Sequence, residues 1–364
     1  MNTIFALIAL PGVATIGQVA VFLAVLGVLV VFHEFGHFVF AKLFGVRVVN
    51  FAVGFGPTIL QTTRGETTYR LNALPLGGYC QMTGEDTADD GSADPGNLQH
   101  HPLWQRFIII VAGPIFNLVL AAMVFAYIAL AFGMPGAATN VIQYVQPNTP
   151  AARAGFQPGD EIQMLDGQAF KSGDEIVAYV HARPNQVIGV DLMRKSGIIH
   201  LEVKTTVRTF NGTVQGIFGF QPVQSMQRVG VGAALGFGAT AVFVTIANQV
   251  VGLWQAAMTR DSSVFRGPVG IAHLFIGAEQ SSSYIALSLV ATLSTVLGFF
   301  NLLPVPALDG GRIVFLGVEA VRRRPVDPEK EGLVHLTGFA LLMVFVLFVT
   351  YHDIVQWVNG KGGL

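Results

Sequence analysis

Charge is what this chain of 364 residues has least of: Asp, Glu, Lys and Arg together make up 12% of it, against about 25% in typical soluble proteins. Hydrophobic residues make up 52%, and the mean hydropathy is +0.57. That balance argues against an ordinary soluble enzyme. The formal net charge of −1 offers no basic footprint, so no nucleic-acid partner is expected. With one cysteine, Cys80, an internal disulfide is excluded, and compartment cannot be read from a disulfide framework. No Lys or Arg precedes Lys42, and the apolar run before it is too long for a signal-peptide core. It reads as a retained membrane segment. Internal repeats are also missing, which weakens a transporter reading.

What the chain does have is long apolar runs. The first extends from about Ile16 to Phe44, longer than the ~20 residues a bilayer needs. The second is Phe107 to Phe132, interrupted only by Asn117. Tyr284–Leu303 is the third and ends at Pro304 and Pro306; Leu336–Thr350 is the fourth. Between the first two lies a mixed segment in which Thr58–Gln61 and Thr67–Leu71 flank a turn at Arg64-Gly65-Glu66, a hairpin pattern. Asp86, Asp89, Asp90 and Asp94 mark a polar loop after it. From Asn140 to about Arg208 the pattern alternates as in a small α+β domain.

Basic residues orient the spans. Arg312, Arg322, Arg323, Arg324 and Lys330 crowd one loop, and Lys42, Arg47 and Arg106 flank the first mixed segment, so both are expected on the cytoplasmic side. Four spans satisfy both assignments. A fifth, at 229–255, would move the arginine cluster outside, so that Gly- and Ala-rich segment is expected on the outer interface or partly inserted. The fold class is therefore a polytopic α-helical membrane protein of four transmembrane helices, with a small membrane-associated β-hairpin and one inserted α+β domain. The expected divisions are 1–133 and 283–364 for the membrane core, 134–222 for the inserted domain, and 223–282 for an interfacial linker.

Within the first run stands His33-Glu34-Phe35-Gly36-His37, an H-E-x-x-H pattern. On a helix its two imidazoles share a face one turn apart, and the glutamate beside them can act as a general base toward water activated by a metal. Five-residue patterns recur by chance, but ionisable groups inside a membrane span are costly and functional by default. A catalytic zinc needs a third protein ligand. Asp309 is the best candidate, although on local sequence alone the favoured reading is a cap on the helix that starts near Gly310. Topology favours the ligand, because the first and third runs end on the same side, near His37 and near Asp309. Pro304 and Pro306 break the helix at that depth, where unwound backbone is tolerated if it lines a wet cavity. His100 and His101 are adjacent loop residues that cannot share a metal from a helix. His181, His200, His273, His335 and His352 are scattered and give no ligand pattern.

Together, His33-Glu34-x-x-His37 and Asn301-x-x-Pro304-x-Pro306-x-x-Asp309-Gly310 resemble the site-2 protease family of intramembrane zinc metalloproteases, most closely the bacterial regulator of sigma-E protease type. Gly54-Phe55-Gly56-Pro57 is similar to that family's membrane-associated β-loop, and Gly113-Pro114-Ile115-Phe116-Asn117 to its second-helix motif. Val264–Ala272 is similar to the segment before its third helix. The resemblance implies Zn2+ held by His33, His37 and Asp309, with Glu34 as base. On the substrate side it implies Asn301, Gly54, Gly56, Pro304 and Pro306, with Asn117 either there or in an interhelical hydrogen bond. The implied substrate is a single-pass membrane protein, an anti-sigma factor already trimmed by another protease. The implied location is a bacterial inner membrane, with the site near the cytoplasmic side.

Pro150-Ala151-x-x-Ala154-Gly155-x-x-x-Gly159-Asp160-x-Ile162, followed by Asp166-Gly167, resembles a PDZ domain. Ile162, Met164, Val190 and Leu192 suit its core strands, and a peptide or protein ligand is expected in its groove, on the periplasmic side. Gly216-Ile217-Phe218-Gly219-Phe220-Gln221-Pro222 resembles its closing strand and leaves no room for a second copy, although the best-known proteases of this type carry two. The rival reading is a membrane scaffold whose PDZ domain binds protein tails above an inactive metal site.

Overall fold

The structure is a computed structural model and describes residues 11–84, 94–195, 197–210, 213–259, 270–271, 282–324 and 326–358. The acidic loop at 86–90, most of the 264–272 motif and His273 lie outside the described residues. The chain divides into two compact units, one formed by Met1–Ala129 with Val231–Leu364 and the other by Leu130–Gly230. The inserted unit thus runs beyond the 134–222 read from the sequence, because its last strand continues past Pro222.

The helical unit begins with α1 (Pro11–Phe44), which starts at a proline, where a missing amide costs nothing, and then runs without a break. Two long strands follow, β1 (Val48–Arg64) and β2 (Thr67–Met82), joined at Gly65-Glu66 with Arg64 paired to Thr67. The hairpin folds back on itself. Val53 pairs with both Leu71 and Gly78, so the start of β1 lies between the two arms of β2. Lys42 and Arg47 hold the hairpin tip through Glu66 (2.6 and 3.4 Å), and the Lys42 ammonium keeps the Glu66 carboxyl below its ordinary range. Helix α2 (Leu103–Phe132) completes the first half of the unit.

The inserted unit has two short helices, α3 (Pro150–Arg153) and α4 (Gly173–His181). Its main strands are β3 (Met134–Val145), β4 (Glu161–Leu165), β5 (Gln168–Ala169), β6 (Val187–Arg194), β7 (Gly197–Lys204), β8 (Thr206–Phe210), β9 (Thr213–Ile217) and β10 (Phe220–Gln227). The principal sheet has the order β10-β3-β4-β6-β7, and its core is Ile142, Ile162, Leu165, Ile176, Val180, Ile188, Leu192 and Phe218. One expected core position moves: a register shift between Ile162 and Met164 turns Met164 outward (41% exposed) and Leu165 inward. Asp160 is buried and receives a two-pronged pair from Arg194 at 2.7 Å, which holds its carboxyl below the usual range.

After the insert come α5 (Val231–Thr259), α6 (Ser283–Asn301), α7 (Asp309–Arg322) and α8 (Pro328–Val358). Among the described residues five helices, α1, α2, α5, α6 and α8, are long and apolar enough to cross a membrane, one more than the sequence reading gives. The extra one is α5. Its small residues explain how it joins the others: a Cβ at Gly238 would run into the Ala122 carbonyl, so the two backbones touch. Val242 of α5, Ala291 of α6, and Ala121, Phe125 and Ile128 of α2 form one buried cluster. Segment 229–255 is therefore a packed helix of membrane length rather than a surface linker.

Contacts also relate the ends of the helices. Met134 pairs with Gln227, so the chain leaves α2 and enters α5 at one end of the unit. Helix α6 starts at that same end, since Tyr284 and Leu287 pack with the later half of α2 while Gly298 sits against Pro114. Gly270 donates to Asp353 at 2.8 Å, near the finish of α8, whose beginning meets Ala307. Residues 231 and 282 thus lie at one end. At the other end Arg106 of α2 holds Glu319 of α7 at 2.9 and 3.1 Å, which gathers both basic clusters on one face.

Replacing Gly238 with Leu should separate α5 from α2 and cost about 1–3 kcal/mol through overpacking. Thermal unfolding of the purified chain in detergent measures this, and an unchanged midpoint would mean that the two helices do not touch there.

Candidate metal centre

His33 and His37 lie one turn apart on α1 and are both buried, with ring centroids 4.9 Å apart and planes nearly perpendicular. What lets α1 sink so deep is glycine on both sides. A Cβ at Gly36 would overlap the Ala112 carbonyl, and one at Gly113 would overlap the His37 ring itself. The second-helix motif thus contributes a seat for an imidazole.

His37 is oriented by its backbone neighbour. Its Nδ1 donates to the Ile109 carbonyl at 2.8 Å, which leaves Nε2 with its lone pair free. Pro114, inside α2, removes the amide that would bond Ile110, so this turn is already irregular. Asn117 is fully buried, and its side-chain amide lies 3.4 Å from His33 Nδ1. It faces the back of the imidazole and not an open cavity. Its main-chain carbonyl accepts the Ser294 hydroxyl at 2.8 Å, which ties α6 to the same turn.

Asp309 is the first residue of α7. Its cap position is Leu308, and no side chain caps this helix. The Asp309 carboxylate points away from its own helix, with Oδ2 3.0 Å from His33 Nε2 and 3.6 Å from His37 Nε2. The two Nε2 atoms are 3.3 Å apart. Zinc–nitrogen bonds of ~2.0–2.1 Å in a tetrahedron require ligand atoms about 3.3 Å apart, so the spacing fits that ion. Two further observations agree with a cation there: Asp309 Oδ2 is buried without a hydrogen-bond partner, and the set is two imidazole nitrogens and one carboxylate oxygen. Among the described residues this is the one such group of three.

A cavity of about 510 Å³ opens beside these three side chains. Glu34 lines it, with Ala307, Leu308 and Arg312 on one wall and Tyr79, Cys80, Gln81 and Met82 on another. Nothing in the sequence pointed to that second wall. It directed attention to the Gly54–Leu71 strands, yet Gly54 and Gly56 do not line the cavity, and the arm that does so is the end of β2. The reason is the fold-back of the hairpin, which brings Gly78 within contact distance of Glu34 (3.4 Å from a Cβ placed at Gly78 to Glu34 Cγ). Asn301 ends α6 and Pro304 follows it; neither lines the cavity. Pro306 faces a separate apolar groove with Val305 and Phe345.

The profile of Peptidase family M50 matches residues 21–345. The chain is 31% identical to "Zinc metalloprotease RasP" of Geobacillus kaustophilus, covering 95% of this chain and 99% of that protein. It is 30% identical to "Regulator of sigma-W protease RasP" of Bacillus subtilis, covering 93% and 98%. Among solved structures, the PDZ domain of an SdrC-like protein from Listeria monocytogenes matches at 24% identity over 25% of this chain and 93% of that one, with a TM-score of 0.22.

Replacing Gly113 with Ala puts a methyl group into the His37 ring, so the imidazole or the α1–α2 contact must shift. Zinc retained by the purified chain, measured by elemental analysis, should fall about 10-fold or more; full occupancy would mean that the ring can move without losing its function.

Proposed function

As this chain belongs to peptidase family M50 and is a zinc metalloprotease of the site-2 type, we propose that it hydrolyses a peptide bond in or beside the membrane segment of a single-pass membrane protein. The observation that carries the reading is the approach of Asp309 to His33 Nε2 and His37 Nε2 beside a cavity lined by Glu34. His33, His37 and Asp309 would hold the zinc. When bound, the ion supplies Lewis acidity, which lowers the pKa of water and polarises a carbonyl.

The remaining work falls to the chain. Glu34 accepts the proton of the attacking water and returns it to the leaving amine, which its place in the cavity wall allows. His37 is kept in the tautomer that exposes Nε2 by the Ile109 carbonyl. A helical substrate hides its peptide bonds in its own hydrogen bonds, so it must be extended before attack. Tyr79, Cys80, Gln81 and Met82 line the cavity with Glu34, so an extended segment laid along that wall by strand addition would hold a peptide bond beside Glu34.

The substrate we infer is an anti-sigma factor already shortened by another protease; the relative in B. subtilis, whose name makes it a regulator of sigma-W, supports that class. The inserted unit is read as a PDZ domain on the extracytoplasmic side that admits trimmed substrates and excludes bulky ones. The positive charge gathered around Arg106, Arg312 and Arg322–Arg324 supports a cytoplasmic position for the end bearing the metal centre, in the inner membrane of a bacterium.

Glu34→Gln should keep zinc and lower cleavage of a membrane-reconstituted substrate by at least about 100-fold, the scale of general acid–base catalysis. Asp309→Asn should lose both zinc and cleavage, and normal turnover by either variant would remove that residue from the mechanism. For orientation, a cysteine at position 323 in a Cys80→Ala background should react only with reagents that reach the cytoplasm; labelling from outside would invert the map.

A further inference from the structure

The loop that delivers Asp309 is held from a helix to which the sequence assigned no functional part. Between Leu303 and Asp309, Pro304 and Pro306 have no amide hydrogen. The Val305 amide bonds Leu303 O at 2.7 Å, and the Leu308 amide bonds Val305 O at 3.2 Å. The Ala307 amide is the one that leaves the loop. It donates to His335 Nδ1 of α8 at 2.9 Å. Ala307 also has φ +77°, a left-handed conformation that a residue with a Cβ adopts only when its surroundings enforce it. One turn further along α8, Gly338 lies so close to Pro306 that a Cβ there would strike the proline ring. Two points on one face of α8 therefore hold the two residues that precede Leu308 and Asp309.

We propose that His335 is a positioning residue for the metal centre: by accepting the Ala307 amide hydrogen it holds the strained turn that aims Asp309 at His33 and His37. Helix α8 thereby sets how tightly the metal is held, although none of its residues touches the ligands. To accept that hydrogen, Nδ1 must carry the lone pair, so His335 acts as a neutral imidazole with its proton on Nε2. An imidazole is not the only group that can do this; any side chain of similar reach with an acceptor will serve. The strain gives a second handle. Glycine adopts φ +77° without enforcement, so a loop with glycine at position 307 needs the acceptor less.

The inference rests on the assignment of His33, His37 and Asp309 as the zinc ligands, and the test separates the two. Zinc affinity is measured by competition with a chromophoric chelator, on the full chain in nanodiscs carrying Glu34→Gln, so that turnover plays no part. Asp309→Asn is the control for the ligand assignment and should weaken zinc binding. His335→Leu should weaken it by about 10- to 100-fold, the range for partners that orient a metal ligand. His335→Gln should retain most of the affinity, and adding Ala307→Gly to His335→Leu should recover a large part of the loss. If Asp309→Asn binds zinc normally, the ligand assignment fails and the proposal with it. If Asp309→Asn weakens binding while His335→Leu does not, the positioning role alone is overturned. It is also overturned if Leu and Gln at 335 fall equally and Ala307→Gly recovers nothing, the behaviour of a residue that only packs α8.

Discussion

A polar group among apolar helices has to be answered by another polar group, and most of the helical unit can be understood as the answers to His33, His37 and Asp309. The two imidazoles are buried because α1 and α2 meet backbone to backbone at Gly36 and Gly113. That closeness brings the Ile109 carbonyl to His37 and the Asn117 amide to His33. It also explains why helices that share an apolar solvent can still be specific: small residues give the contact, and a few hydrogen bonds fix its register. Ser294 on Asn117 O adds α6 to the same turn, and α6 leads directly to the loop that supplies the carboxylate.

Much of this was legible in the sequence, and unevenly so. His33, Glu34 and His37 were visible because their spacing is local, within one helical turn. Asp309 read locally as a cap, and only counting charges across the chain turned attention to it as a partner of the two histidines, beside which the structure places it. The hairpin turn at Gly65-Glu66 was legible for the same local reason, whereas its fold-back was not. Which arm of β2 reaches the cavity depends on pairing between residues up to 34 positions apart, Val48 with Met82, and no residue type announces that. Met164 shows the same limit on a smaller scale: alternation placed it in the core, and one register shift turned it out.

Helix α5 was misjudged for a different reason. Hydropathy and charge measure how a segment meets lipid and water, and by those measures 229–255 was optional. Its glycines and alanines make sense only against the groove on α2 that receives them, so the information lies in a pair of surfaces. His335 was overlooked similarly. A lone histidine on an apolar helix has no pattern; it acquires meaning from an amide 28 positions away, itself exposed by two prolines that break the chain.

The ligand set is split along the chain. His33 and His37 are made early, on the first helix, whereas Asp309 follows the whole inserted unit and α6. Ribosomes add residues one at a time, so a nascent chain stopped anywhere before α7 holds two imidazoles and no carboxylate beside them. The two imidazoles thus wait for the carboxylate until α7 has been made, and α8, which holds the loop that carries it, comes later still.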